Sequence, residues 1–125
     1  MSDPQLPCPG CGFLMYGAEA YGSYGICPLC TWEDDPVQLA NPVSPGGANG
    51  ESLLTYQTRA LQRWPLSVRE VEVEGHSYRR DASWRPVTYE EAEYFLAHDD
   101  VSAIFSVEEA YWIKSPLSGG GAAAV

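Results

Sequence analysis

Two Cys-x-x-Cys turns, Cys8-Pro-Gly-Cys11 and Cys27-Pro-Leu-Cys30, stand fifteen residues apart and hold all four cysteines of the chain. This spacing matches a four-thiolate metal site. Two residues between thiolates let one tight turn aim both sulfurs at a single cation, and a second turn completes the tetrahedron. Pro9 and Pro28 preset φ ahead of each bend, while Gly10 and Gly12 tolerate positive φ. The connecting stretch reads as a β-hairpin. Phe13, Met15 and Tyr16 form one arm, Tyr24 and Ile26 the other, and Gly17–Gly25 the turn.

A metal is needed because the first fifty residues are rich in Gly and Pro and poor in aliphatic side chains. They bury too little to offset their ordering entropy. Across all 125 residues, 45% apolar content and fifteen aromatics are enough for one core, so the chain is not disordered. Residues 1–50 are expected to be a zinc-ribbon module with a long loop. Residues 51–117 read as a helical extension packed on it in one domain, and 118–125 (SGGGAAAV) as a disordered tail.

Seventeen acidic against seven basic residues give a net charge of -10, and four thiolates around a divalent ion add roughly two more negative charges. Such a field repels phosphate backbones, so nucleic acid is not an expected partner, whereas a basic protein surface is. The N-terminus shows no secretory pattern and no run is long enough to cross a bilayer. The expectation is a cytoplasmic protein with reduced thiols and no membrane contact.

The rest of the chain reads as α+β. Residues 36–50, with three prolines and a Gly-Gly pair, read as an irregular loop. Apolar periodicity over Glu51–Arg63 predicts a helix capped by Asn49 or Ser52 and stopped by Pro65. Alternation over 69–74, Gly75 and then Tyr78 predicts a short hairpin. Thr88-Tyr-Glu-Glu91 has the form of a capping box, opening a helix from Tyr89 to His98 with Ala92, Phe95 and Leu96 inward. Ser106-Val-Glu-Glu109 predicts another helix through Ile113.

Three chemistries compete for the cysteines. A structural zinc site leads. A rubredoxin-like iron site for electron transfer is the alternative, although Thr31 stands where such knuckles carry Gly and the interval between them is short. Redox dithiols come third, since no thioredoxin-like strand precedes Cys8. Trp32-Glu33-Asp34-Asp35 reads either as a recognition patch or second cation site, or as an indole over the metal followed by acids bonding the next loop. The second is favoured. A hydrolytic enzyme using those acids ranks last. His76 and His98 lack metal-like spacing, and no nucleophile or phosphate loop is present, so no catalytic set emerges.

Cys8-Pro-Gly-Cys11-Gly, Gly22-Ser-Tyr-Gly-Ile-Cys27-Pro-Leu-Cys30-Thr-Trp-Glu-Asp-Asp, Val37-Gln-Leu and Gly46-Gly-Ala-Asn-Gly-Glu-Ser-Leu53 together resemble the bacterial cysteine-rich CPCC family over about residues 8–60. Gly10 departs from that family's Cys-Pro-Cys-Cys-Gly segment. The resemblance implies a small zinc-binding protein without established enzymatic activity, with Cys8, Cys11, Cys27 and Cys30 as ligands of one structural zinc. It also makes an immunity or antitoxin role conceivable. The resulting expectation is a non-catalytic, acidic protein–protein interaction module.

Overall fold

Each cysteine pair folds into the same closed loop, because the same backbone bonds recur around it. The Cys8 N–H donates to the Phe13 carbonyl at 3.0 Å and the Gly12 N–H to the Cys8 carbonyl at 2.7 Å. In the second loop, Cys27 donates to Trp32 at 2.9 Å and Thr31 to Cys27 at 3.0 Å. The structure, a computed structural model, describes residues 5–17, 20–97, 104 and 110–114. The expected end of the first capping-box helix at His98, the expected Ser106–Glu109 helix start and the 118–125 tail lie outside these residues.

The strand pairing differs from the expected inter-knuckle hairpin. β1 (Leu6–Pro7) pairs antiparallel with β2 (Leu14–Tyr16), so the first knuckle is the tip of its own ladder. Ile26 bridges Glu33, and Tyr24 and Asp34 exchange bonds with the facing strand, which closes the second knuckle in the same manner. Phe13–Tyr16 and Tyr24–Ile26 therefore belong to separate ladders. The Tyr16 hydroxyl links them by donating to the Gly25 and Trp32 carbonyls, both at 3.3 Å.

Residues 36–50 are also more ordered than their composition suggests. Asp35 caps a short helix, α1 (Pro36–Ala40), by accepting from the Val37 N–H at 2.9 Å and from Gln38, with Pro36 at the first helical position. Buried Gln38 and Asn49 then fasten the loop. The Gln38 amide donates to the Ser44, Asn49 and Glu51 carbonyls. The Asn49 side chain accepts from the Glu33 N–H and donates to its carbonyl, both at 2.8 Å, as a neighbouring strand would. Side-chain amides thus satisfy backbone groups for which the loop has no ladder.

Ser52 caps α2 (Leu53–Arg63) by accepting from the Thr55 N–H at 3.2 Å. Leu53, Gln57 and Ala60 form its buried face. β3 (Glu70–Val73) and β4 (His76–Arg79) form the predicted hairpin, with Val73 opposite His76 across the Glu74-Gly75 turn. The Thr88–Glu91 capping box is present: the Thr88 hydroxyl accepts from the Glu91 N–H and the Glu91 carboxylate from the Thr88 N–H. It opens α3 (Tyr89–Ala97). This helix buries none of its residues. Ala92 and Phe95 are half-buried, and Leu96, expected inward, is 71% exposed. The described end of the chain is a 3-10 turn over Tyr111–Ile113 rather than an α-helix.

Aromatic side chains tie the later elements to the cysteine loops. Trp112 is fully buried and donates to the Tyr21 hydroxyl at 3.1 Å, which donates in turn to the Pro7 carbonyl. Tyr111 reaches the Leu39 carbonyl at 2.8 Å. The Pro9 carbonyl, inside the first knuckle, accepts both from Gln57 of α2 and from the Trp84 indole, each at 3.0 Å. Among the described residues the architecture is α+β: two short hairpins and three α-helices around four clustered cysteines. No helix among them is long and apolar enough to cross a membrane.

Candidate metal centre

The two loops face each other so that all four sulfurs meet. Their Sγ atoms lie within 4.8 Å of one another, with Cys8 to Cys30 at 3.5 Å and Cys11 to Cys27 at 3.7 Å. A metal–sulfur bond of about 2.3 Å places the corners of a regular thiolate tetrahedron about 3.8 Å apart. The Cys8–Cys30 and Cys11–Cys27 separations are close to that figure, and all four cysteines are free of disulfides. Cys8, Cys11 and Cys27 are 0% exposed and Cys30 is half-buried. The arrangement is a cation cage closed on most sides.

Backbone amides aim at two of the sulfurs. Cys8 accepts from the Gly10 N–H, and Cys27 from the Leu29 and Cys30 N–H groups, each at 3.3 Å. These bonds stabilise thiolate over thiol. Four buried thiolates cannot coexist without a cation, and the titration behaviour of the cluster follows from that. Burial, then hydrogen bonding to the other thiols, raises Cys8 well above the usual thiol range. Cys11 is raised through its bonds with Cys27 and Cys30. Cys27, which gathers hydrogen bonds from Cys11, Cys30 and Cys8, is held far below the usual thiol range. A divalent ion bound there would replace the shared protons and satisfy all four sulfurs together.

The symmetry between the loops exposes a strained position. Gly12 and Thr31 follow the second cysteine of their loops, with φ of 86° and 68°. Glycine reaches that region without steric cost, but a β-branched residue does not. Thr31→Gly should therefore raise stability by about 0.5–1 kcal/mol, net of the extra freedom glycine gives the unfolded chain. Urea midpoints of the metal-loaded protein check this, and a lower midpoint for the variant would refute the strain argument. Gly10 is not in the positive-φ region, and the space around it is limited. A Cβ there would lie 3.1 Å from the Cys30 sulfur and 3.3 Å from Cβ of Trp32, so a side chain would press on the cage.

The acidic run after the second knuckle faces its own chain. Trp32 is fully buried, beside Gly10 and edge-on to Tyr56 at 5.3 Å, and so covers the cage. Asp34 is buried and accepts from the Ser23 N–H at 2.9 Å and hydroxyl at 2.8 Å. Asp35 is buried as the α1 cap and also accepts from the Ala48 N–H at 2.9 Å. Glu33 is the member of the run that is half-exposed. The four cysteines are the one group of three or more potential ligand side chains among the described residues, and none of these acids joins it. His76 lies exposed on β4, and His98 is outside the described residues.

Three residues around the cage gave no local signal in the sequence. Gln57, Trp84 and Arg80 reach it from 48, 75 and 69 positions away to bond the Pro9 and Cys11 carbonyls. Only the tertiary fold brings them there.

Residues 6–63 match the family model described as Cysteine-rich CPCC. The match covers both knuckles, α1, the fastened loop and α2, and it ends where α2 ends. No curated protein matches the chain.

Proposed function

Starting from the match of residues 6–63 to the cysteine-rich CPCC family model, we propose that Cys8, Cys11, Cys27 and Cys30 hold one zinc ion in a zinc-ribbon-like module. The ion is structural, and the protein acts as a non-catalytic, acidic interaction module, of which an immunity or antitoxin protein would be one kind. The observation that carries this reading is the closure of the cage. Four protein sulfurs converge within 4.8 Å of one another and three of the cysteines have no solvent exposure. A catalytic zinc keeps an open position for water or substrate, whereas a structural one does not.

Zinc is favoured over iron by the uneven pattern of amide bonds. Among the described residues the Cys8 and Cys27 sulfurs receive backbone N–H groups, while none is directed at the Cys11 or Cys30 sulfur. Iron–sulfur centres depend on such bonds to set their potential, and a redox-silent ion does not need them. The bound ion would supply a fixed tetrahedral crosslink, with no chemistry beyond it. The net charge of -10 supports a basic protein surface as partner, with the long-range field guiding encounter.

Elemental analysis of the purified protein should find one zinc per chain in a colourless sample. An iron content near one per chain with visible absorption would overturn the assignment in favour of an electron-transfer centre. For the interaction role, affinity capture with the zinc-loaded protein should yield a specific basic partner whose retention falls with salt. Binding that requires a turnover substrate would argue for an enzyme instead.

A further inference from the structure

Arg80 is only 2% exposed, although arginine is among the residues least often buried. It follows β4, and its backbone bridges Phe13 beside the first knuckle. Its guanidinium lies 4.5 Å from the Phe13 ring centre and 5.3 Å from that of Trp84. Nε donates to the Cys11 carbonyl at 2.9 Å, and Nη1 to the Pro65 and Val68 carbonyls at 2.7 and 3.1 Å. Nη2 is buried and has no hydrogen-bond partner among the described residues.

Among the described residues no carboxylate pairs with this guanidinium: the ion pairs are Arg59–Glu51, Arg79–Glu70 and Arg85–Glu91. Carbonyl dipoles and aromatic faces relieve part of the desolvation of a cation, but a buried charge without an opposite charge is strongly unfavourable. The acidic group that the fold does bring to Arg80 is the cysteine cage, through the bond to Cys11. Filled with a divalent ion, that cage carries about two net negative charges in a low-dielectric setting.

We propose that Arg80 is the buried counter-charge of the filled metal centre. It offsets part of the negative charge of the four thiolates, so that metal binding and the burial of its guanidinium stabilise each other. The inference rests on the reading of the cysteines as ligands of a divalent ion. It accounts for the lack of a paired carboxylate among the described residues, since a paired Arg80 would have its charge cancelled before reaching the cage. It also gives the later part of the chain, beyond the family match, a role in the metal centre: β4 delivers the charge and Trp84 covers it.

The test compares Arg80→Lys with Arg80→Gln. Both lose the guanidinium fork, and they differ chiefly in charge. Zinc affinity is measured for each full-length chain by competition with a chelator, alongside the near-UV circular dichroism of the zinc-loaded form. Arg80→Gln should bind zinc about 10- to 100-fold more weakly than wild type, the range typical of groups just outside a metal's ligands, and Arg80→Lys should recover most of the loss. Failure of the Gln variant to fold with excess zinc, while the Lys variant folds and binds, is equally expected. Equal affinities for the two variants, or failure of both, would overturn the proposal and leave Arg80 a packing residue. A wild-type chain that takes up no zinc, cobalt or cadmium would instead sink the metal reading itself.

Discussion

Cys27→Ser should abolish zinc uptake and leave residues 6–63 without fixed tertiary structure at temperatures where the wild-type protein is folded. The Cys27 sulfur accepts two of the three backbone N–H bonds directed at the cage, lies 3.7 Å from Cys11 and is fully buried. A serine oxygen is shorter, harder and a poor ligand for zinc at neutral pH. The size of the effect follows from what else holds the segment together. Its ladders are two or three residues long, its α1 helix has five residues, and many of its buried side chains are cysteine or polar. Binding of structural zinc is worth about 10–16 kcal/mol in small metal-dependent folds, as large as the whole stability of an ordinary domain. Losing it removes the cooperative transition rather than shifting it. Near-UV circular dichroism of the buried Trp32 and Trp84, with elemental analysis, checks the outcome, and chelation of the wild type should give the same spectrum. A variant with unchanged thermal midpoint and metal content would show that the cysteines do not hold the fold.

The cage was legible in the sequence because its determinants are local. Two residues between cysteines, a proline after the first and a turn at the fourth position are set within each knuckle. α2 and the β3–β4 hairpin were legible for a similar reason, since periodicity and the Gly75 turn act over a few residues. The strand pairing was not, because β1 is two residues long, contains Pro7 and has no alternation to read. α1 carried a readable signal, an Asp35 cap followed by Pro36 at the first helical position. The prolines and glycines after it outweighed that signal, although Gln38 and Asn49 supply the missing order from their side chains. Asp34 and Asp35 look like surface charge in a sequence. Each instead finds backbone N–H donors, and whether such donors exist depends on how the chain returns over them. Arg80 and Trp84 could not have been assigned at all. Nothing near them in sequence mentions the cysteines, and their positions follow from the bridge between Phe13 and Arg80.

Gly12→Ala should cost about 3–5 kcal/mol, the sum of a left-handed backbone and an overpacked contact. Gly12 holds a φ of 86°, and a Cβ built on it would lie 2.5, 2.6 and 2.8 Å from three ring atoms of Trp84. Neither side can retreat. Trp84 is buried and anchored by its indole bond to the Pro9 carbonyl. Gly12 is held at both ends, its N–H on the Cys8 carbonyl at 2.7 Å and its carbonyl accepting from the Asp81 N–H at 2.8 Å. A methyl group would therefore pry the first knuckle from the segment carrying Arg80 and Trp84 and loosen the cage from one side. Gly75→Ala separates the two contributions. Gly75 has nearly the same φ, 82°, but no atom lies within 4 Å of its built Cβ, so only the backbone cost of about 1 kcal/mol remains. Denaturant midpoints of the two metal-loaded variants, with zinc retention measured in parallel, give the difference directly. Equal losses at Gly12 and Gly75 would mean that the Trp84 contact carries no energy. A much larger loss at Gly12, accompanied by easier zinc release, would show that the C-terminal segment closes the cage.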